Sequence, residues 1–391
     1  MTANNYSQKH ILQIGDILFA RTGGTVGKTY YYDGTIGNAI FAGYCIRFRF
    51  DVSKVLPKFV YWNTKTNSYL KWVKGIQRPS GQPNINKGEF KSYEISVPDY
   101  TKQKQLCSFM DEAEKKYNKK LQQADELLSG INVEMSKLIN VSFTILKKRE
   151  FYGINRKDIC LNLTHRLDFK AYHSHFKMMQ KAISKSRYNK TKLKDLVTDN
   201  VAGNWGEALD VVNNDYQKCL VLRATEIDNR QNIFINPEKA QYRMIKKNIL
   251  ADMDIQKGDI LVEKSGGSTD QPVGRVVIIE KTLHENCPIA YSNFLAKLRI
   301  NKDLVDPYYL FEYLRFIYSM RVTEAMETQT NGIHNLIVSE FLNQEVVIPP
   351  NNKEIGEKIK SVREKAKIIK IEAEKEWAEA KVQFEKELLE G

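Results

Sequence analysis

The sequence contains no apolar run approaching ~18 residues, the length a membrane-crossing helix needs. Its N-terminus has no apolar stretch of the kind that leads a chain through a membrane, so nothing in it is expected to span or cross one. Paired cysteines are missing too. Cys45, Cys107, Cys160, Cys219 and Cys287 are odd in number, scattered, and never spaced C-x-x-C. That argues against a disulfide framework or a zinc site and for a reducing, cytoplasmic setting. His173 and His175 are the closest histidine pair, without a nearby cysteine or third histidine at ligand spacing, so no metal is expected.

Catalytic signatures are equally thin. Thr22–Thr29 ends in Gly27-Lys28-Thr29 like a nucleotide loop, but the position that must be its first glycine is Thr22. Asp306-Pro307-Tyr308-Tyr309 looks like the adenine-methyltransferase tetrapeptide with its second proline absent, and no Gly-rich S-adenosylmethionine loop follows a strand. Pro98-Asp99 and Glu114-Lys115-Lys116 supply the letters of a metal-dependent nuclease, but the latter lie in a heptad helix rather than on a neighbouring strand. No nucleophile–base pair is visible. No catalytic site is expected.

What the chain does have is basic charge, with 60 Lys+Arg against 47 Asp+Glu in 391 residues, a formal net charge of +13. An excess of that size favours a polyanion, nucleic acid above all. An anionic membrane surface would need a Lys/Arg-faced amphipathic helix, and the two long helices carry mixed charge. With 42% hydrophobic and 27% charged residues the chain reads as a folded soluble protein of two or three domains.

Two heptad seams stand out. Leu106, Met110, Ala113, Tyr117, Leu121, Ala124, Leu128, Ile131, Met135 and Leu138 step by threes and fours, with an irregular 4-4 step at Tyr117. Ile355, Ile359, Val362, Ala366, Ile369, Ala373, Trp377, Ala380, Phe384 and Leu388 do the same near the C-terminus. At ~1.5 Å per residue each makes a rod on the order of 50 Å long. Each could cover an ordinary core, but neither buries its seam alone, and pairing with the other is the expected solution.

Each seam follows a copy of one pattern. Gly15-Asp16-Ile17-Leu18, Gly27-Lys28, the strand Ala39–Phe50, a helix opening at Pro57, the polar loop 75–87 and a short strand Tyr93–Val97 closed by Pro98 make the first. Gly258-Asp259-Ile260-Leu261, Gly274-Arg275, Ala290–Leu298, a helix at Pro307, the loop Glu327–Asn335 and Val346–Ile348 closed by Pro349 make the second. The second copy trails the first by 243 residues at Gly258, 247 at Gly274 and 251 at Pro349, a drift that small insertions produce. Only fourteen residues precede Gly15, whereas the second module begins near His165 with a front part that includes Leu193–Val197 and a strand expected at Lys218–Leu222, so the first copy is expected to be short of a front half. The glycines around Lys28 and Arg275 suit a turn that brings backbone N–H groups and a cation to another surface. The two polar loops, rich in amides and hydroxyls, suit base-edge readout, because Asn and Gln pair with adenine and Arg with guanine.

This doubled order, with His165-Arg166-Leu167-Asp168 and Tyr172 opening the second module, resembles the DNA-specificity subunit of type I restriction–modification systems. The resemblance covers nearly the whole chain; its specificity lies in the repeated set rather than in any one motif. It implies an α+β fold of two duplicated mixed α/β target-recognition domains separated by two long antiparallel coiled-coil helices. The expected divisions are 1–100, a spacer helix 101–150, a second domain 151–350 and a spacer helix 351–391. It implies no catalysis by the chain itself, but recognition of a bipartite site in double-stranded DNA. It further implies partnership with adenine methyltransferase (modification) subunits and restriction subunits, which would carry S-adenosylmethionine, ATP and Mg. By position, the candidate DNA contacts are Arg21, Lys28, Arg78, Gln82 and Asn84 in the first module, and Lys264, Arg275, Asn331, His334 and Asn335 in the second. A free-standing DNA-modifying or cleaving enzyme and a non-DNA coiled-coil adaptor are the competing readings.

Overall fold

The computed structural model describes residues 10–77, 83–139, 153, 155–161, 169–172, 174–228, 230–237, 239–268, 270–330 and 332–389. It begins with β1 (Ile17–Ala20), β2 (Thr29–Tyr31), β3 (Cys45–Phe48), α1 (Pro57–Asn63), α2 (Asn67–Ile76), α3 (Lys87–Lys91) and the long α4 (Tyr100–Ile139). Next come α5 (Arg156–Leu161), α6 (Ser174–Ser184), β4 (Asn189–Lys192), β5 (Val197–Ala202), β6 (Tyr216–Leu222), β7 (Tyr242–Lys246) and α7 (Lys247–Met253). Then follow β8 (Ile260–Glu263), β9 (Ser265–Gly267), β10 (Val276–Ile278), β11 (Leu283–His284), β12 (Cys287–Tyr291) and β13 (Leu295–Ile300). The chain closes with α8 (Pro307–Ser319), β14 (Glu327–Thr330), β15 (Ile333–Leu336), α9 (Val338–Asn343), β16 (Glu345–Ile348) and α10 (Asn352–Leu389). Two compact units result, residues 1–125 with 366–391, and residues 126–365.

The units share one frame. In the first, β1 lies between β2 and β3, antiparallel to both; in the second, β8 lies in the same way between β10 and β13. The hydrogen bonds correspond one by one. Gly15 N donates to Tyr32 O and Gly258 N to Ile279 O, both at 2.9 Å. Gln13 N donates to Asp16 at 2.9 Å, and Gln256 N to Asp259 at 2.7 Å. Gly27 (φ +81°) and Gly274 (φ +98°) make the turns into β2 and β10. A Cβ on Gly27 would stand 2.5 Å from Val73 Cγ1, and one on Gly274 2.9 Å from Thr323 Cγ2, so at both sites the backbone conformation and the close packing require glycine.

The start of each long helix is tied to its unit by a matching amide. Gln103 accepts from Leu56 N and donates to Pro98 O, both at 2.8 Å. Asn352 accepts from Asp306 N at 2.8 Å and donates to Pro349 O at 3.1 Å. Each amide thereby joins a long helix to the Pro-initiated helix α1 or α8 and to the proline that precedes it.

Both heptad seams are buried or half-buried along their length. Within the first unit α4 and α10 run antiparallel, with ion pairs Lys102–Glu387 at 2.9 Å and Lys120–Glu376 at 2.7 Å on the wet side. The irregular step at Tyr117 coincides with stacking of that ring on Trp377, centroids 5.7 Å apart, so a large aromatic pair occupies the place where the spacing slips. Phe384, fully buried, packs on Phe59 at 6.0 Å. Within the second unit the same helices meet through Ile131, Met135 and Ile359, and Lys358 pairs with Glu134 at 2.6 Å.

The second unit has more structure than its repeat accounts for. Strand β5 extends its sheet beyond β13, and β6, β7, β11 and β12 form a second sheet over a core of Leu220, Ile245, Val277 and Tyr291. This extra part accounts for several departures from the sequence expectation. The strand expected at Tyr93–Val97 does not form, whereas its counterpart β16 does, because β16 pairs with β4, which lies outside the repeat. Ala290–Leu298 is not one strand but the end of β12 and the start of β13, in different sheets. Glu327–Asn335 is not an open loop: β14 and β15 pair antiparallel, and β15 pairs in turn with β9.

Candidate nucleic-acid interface

In each unit the backbones of one candidate cation and one candidate amide lie on neighbouring segments, one residue out of register. Ile85 N donates to Arg21 O at 2.8 Å, which sets Asn84 beside Thr22; Gly23 N donates to Pro83 O at 3.1 Å. In the second unit Leu336 N donates to Lys264 O at 2.7 Å, which sets Asn335 opposite Ser265. Arg21 N and Lys264 N donate in turn to Tyr44 O and Phe294 O. Arg21 thus matches Lys264, and Asn84 matches Asn335. Asn84 is exposed; Arg21, Lys264 and Asn335 are half-buried. Burial lowers the pKa of Lys264 below the ordinary lysine value. The Asn335 side-chain oxygen hydrogen-bonds Ser265 Oγ, which fixes the amide's orientation.

Two candidates of the second module turn inward and serve the fold. Arg275 is buried: its Nε and Nη2 donate to Glu263 at 2.9 and 2.7 Å, its Nη1 to Ile227 O at 2.8 Å and its Nη2 to Ala224 O at 3.1 Å. Burial opposes its charge, but the bonds to Glu263 outweigh that and raise its pKa. Those carbonyls belong to the extra part, so Arg275 ties that part to the repeated frame. His334 is also buried, because the hairpin alternates: Ile333 faces out and His334 faces in, where its Nδ1 lies 2.9 Å from Glu327 Oε1. His334 is not placed to meet a ligand at the surface, whereas Arg275, held by these bonds, also lines a cleft beside β9. Lys28, the counterpart of Arg275, is exposed because Ala20 stands where Glu263 would be. Arg78, Gln82 and Asn331 lie outside the described residues.

Beside β9 the second unit opens a cleft of about 670 Å³ that the sequence did not reveal. Trp205, Arg223, Gln271, Ser292, Asn293 and Phe294 line it. Trp205 is held beneath Arg243, whose guanidinium carbon sits 5.0 Å from the ring centroid. Ser292 Oγ is buried and has no hydrogen-bond partner among the described residues. An aromatic wall and amides suit a polar, planar ligand such as a base edge. These residues come from separate strands and turns that only the fold collects; one of the chain's four tryptophans in a turn-rich stretch was the available signal. Among the described residues, no helix is long and apolar enough to cross a membrane, and no cluster of three His, Cys, Asp or Glu side chains could hold a metal.

Comparison with known proteins finds a family-model match in the N-terminal third of the chain. Residues 2–127 match the family model described as the Type I restriction modification DNA specificity domain. No curated protein matches the chain. Among solved structures, it is similar to one reported for complex assembly and conformational transition of the type I R-M system. That pair has 12% identity and a TM-score of 0.40, covering 97% of this chain and 81% of the other. It is also similar to the HsdS subunit from Thermoanaerobacter tengcongensis, at 12% identity and TM-score 0.32, covering 99% and 83%. A third is the type-I restriction-modification S subunit from M. genitalium, at 13% identity and TM-score 0.39, covering 96% and 82%.

Proposed function

We propose that this chain, whose residues 2–127 belong to the type I restriction modification DNA specificity domain family, is a non-catalytic DNA-recognition subunit that reads a bipartite target. The observation that carries the reading is the repeated frame. The second unit repeats the hydrogen bonding of the first and presents the same pairing, Lys264 with Asn335 where the first has Arg21 with Asn84. Two copies of one reader suit two half-sites. In each, the cation would hold a phosphate or guanine edge while the amide reads an adenine edge.

The partners proposed are adenine methyltransferase subunits and restriction subunits, which would bring S-adenosylmethionine, ATP and Mg. The chain's own residues would bind and orient DNA. Cytoplasmic localisation goes with that role.

The test is recovery of the tagged full chain from its native cells, with mass spectrometry of what accompanies it. An adenine methyltransferase, with or without an ATP-dependent nuclease, is the expected companion. The purified chain alone should neither methylate nor cut, and its DNA binding should weaken steeply with salt. Turnover by the isolated chain would overturn the reading.

A further inference from the structure

We propose that the exposed basic face of α6 and β4 in the second unit is a sequence-independent clamp on the phosphate backbone of double-stranded DNA. The proposal rests on the DNA-reading function above but names a different surface, outside the repeated frame and apart from Lys264 and Asn335.

Between residues 177 and 194 the sequence places Lys177, Lys181, Lys185, Arg187, Lys190, Lys192 and Lys194, with no Asp or Glu among them. These seven charges compare with a net +13 for the whole chain, so over half of the excess is concentrated in one supersecondary unit. The fold gathers Lys185, Arg187 and Lys190 at the C-terminal end of α6, where Lys190 Nζ donates to Ser184 O at 3.1 Å. Lys177 and Lys181 lie one turn apart on α6, Lys185 follows its last residue, and Lys190 and Lys192 alternate onto the same face of β4. All seven are exposed. None of Lys181, Lys185, Arg187, Lys190, Lys192 and Lys194 is ion-paired with a carboxylate among the described residues.

The ridge borders a groove of about 610 Å³ lined by Lys137, Lys185, Arg187 and Tyr188, with Glu134, Leu138 and Ser186. Glu134, its one carboxylate, is engaged by Lys358 at 2.6 Å. Arg187 lies over the Tyr188 ring at 4.9 Å and donates to its hydroxyl at 2.8 Å, which holds the guanidinium at the groove. The nearby acids Asp195 and Glu345 (the latter paired in register with Lys192) border the patch.

A plainer use for β4 lysines is to protect an edge strand from pairing with another chain. That explains Lys190 and Lys192 but not the row along α6 or Arg187. An acidic protein partner is less suited, because interface centres are apolar and poor in lysine. No large exposed apolar side chain lies between residues 177 and 194. Cations without apolar anchors fit a regularly spaced polyanion.

The experiment compares the full chain with a variant carrying Lys185→Gln, Arg187→Gln, Lys190→Gln and Lys192→Gln, both bound to a random-sequence duplex library between about 50 and 200 mM salt. The variant should lose affinity by about tenfold or more at the low end, and the slope of log affinity against log salt should fall by up to about 3.6, at ~0.9 for each phosphate no longer neutralised. The sequence enriched by repeated selection should be the same for both proteins. Because these side chains are exposed, an unchanged melting curve shows that the variant folds. Equal affinity and slope would overturn the clamp while leaving DNA reading intact, and so would a changed enriched sequence. If the variant bound DNA normally but no longer brought its protein companions from cells, the patch would be a protein-docking face and the clamp overturned. Failure of the parent chain to retain any duplex would remove the DNA reading and the clamp together.

Discussion

Glu263 grips Arg275 through two hydrogen bonds, at 2.9 and 2.7 Å, while the equivalent positions in the first unit hold Ala20 and the exposed Lys28. One site in one frame has thus been turned to two uses. Arg275→Ala leaves the Glu263 carboxylate buried without its counter-charge, so it should destabilise the second unit by about 3–5 kcal/mol. Lys28→Ala should leave the melting curve unchanged but weaken DNA binding equally for all sequences, with a salt slope lower by about 1. Thermal melts and salt-dependent binding of both variants check the contrast. Equal stability loss in the two would contradict it.

On the proposed reading, Asn84 and Asn335 specify rather than anchor. Replacing either with Ala should alter the enriched sequence in one half of the target and cost about 1–3 kcal/mol against the best site. Binding to unrelated duplex should hardly change. Selection from a random library with each variant reads this directly. A uniform loss at all sequences would assign the amides to the backbone instead.

The helix seam makes a separate prediction. Phe384 is fully buried against Phe59, so Phe384→Ala should destabilise the first unit by about 3–5 kcal/mol. Lys381→Ala, whose ammonium lies 6.0 Å from the Trp377 ring at the edge of the seam, should cost under about 1 kcal/mol. Urea melts followed by tryptophan fluorescence separate the two, since Trp62, Trp72 and Trp377 all lie in the first unit.

How much of this was legible depended on period and on partner. The seams could be read because 3.5-residue spacing is local, and every seam position is buried or half-buried. The repeat was legible in Gly15-Asp16 and Gly258-Asp259 because a turn with φ near +90° constrains the residue type. What could not be read depended on distant pairing. Tyr93–Val97 has the composition of a strand but no β4 to pair with, and Glu327–Asn335 looks polar enough for a loop but pairs into a hairpin. Arg275 and His334 looked like contact residues because a sequence shows charge but not the carboxylate facing it. The basic run at 177–194 was visible in the sequence as charge, yet only the fold shows that Lys185, Arg187 and Lys190 gather at the end of α6.

Lys65 should make the first unit's stability rise with pH. Burial, with Lys28 nearby and partly offset by Glu114, lowers its pKa from 10.5 to about 8, and its ammonium donates to Thr29 O at 3.1 Å and Thr29 Oγ1 at 3.0 Å. Below about pH 8 both folded and unfolded chains carry the proton, so the penalty for burying the charge is present in full. Between about 8 and 10.5 the folded state releases the proton before the unfolded state does, so the unfolded chain binds more protons and stability increases with pH. At ~1.4 kcal/mol for each pH unit separating the folded and unfolded pKa values, the gain is at most about 3 kcal/mol, and residual solvent contact brings it nearer 1–2. Lys65→Met removes the titrating group while keeping the stem that lies against the Tyr61 ring, where Lys65 Nζ is 4.3 Å from the centroid. The difference in unfolding free energy between parent and variant should therefore shift in the parent's favour across that window and stay constant below it. A flat difference from pH 7 to 10.5 would mean that the Lys65 ammonium is solvated well enough to keep its ordinary pKa.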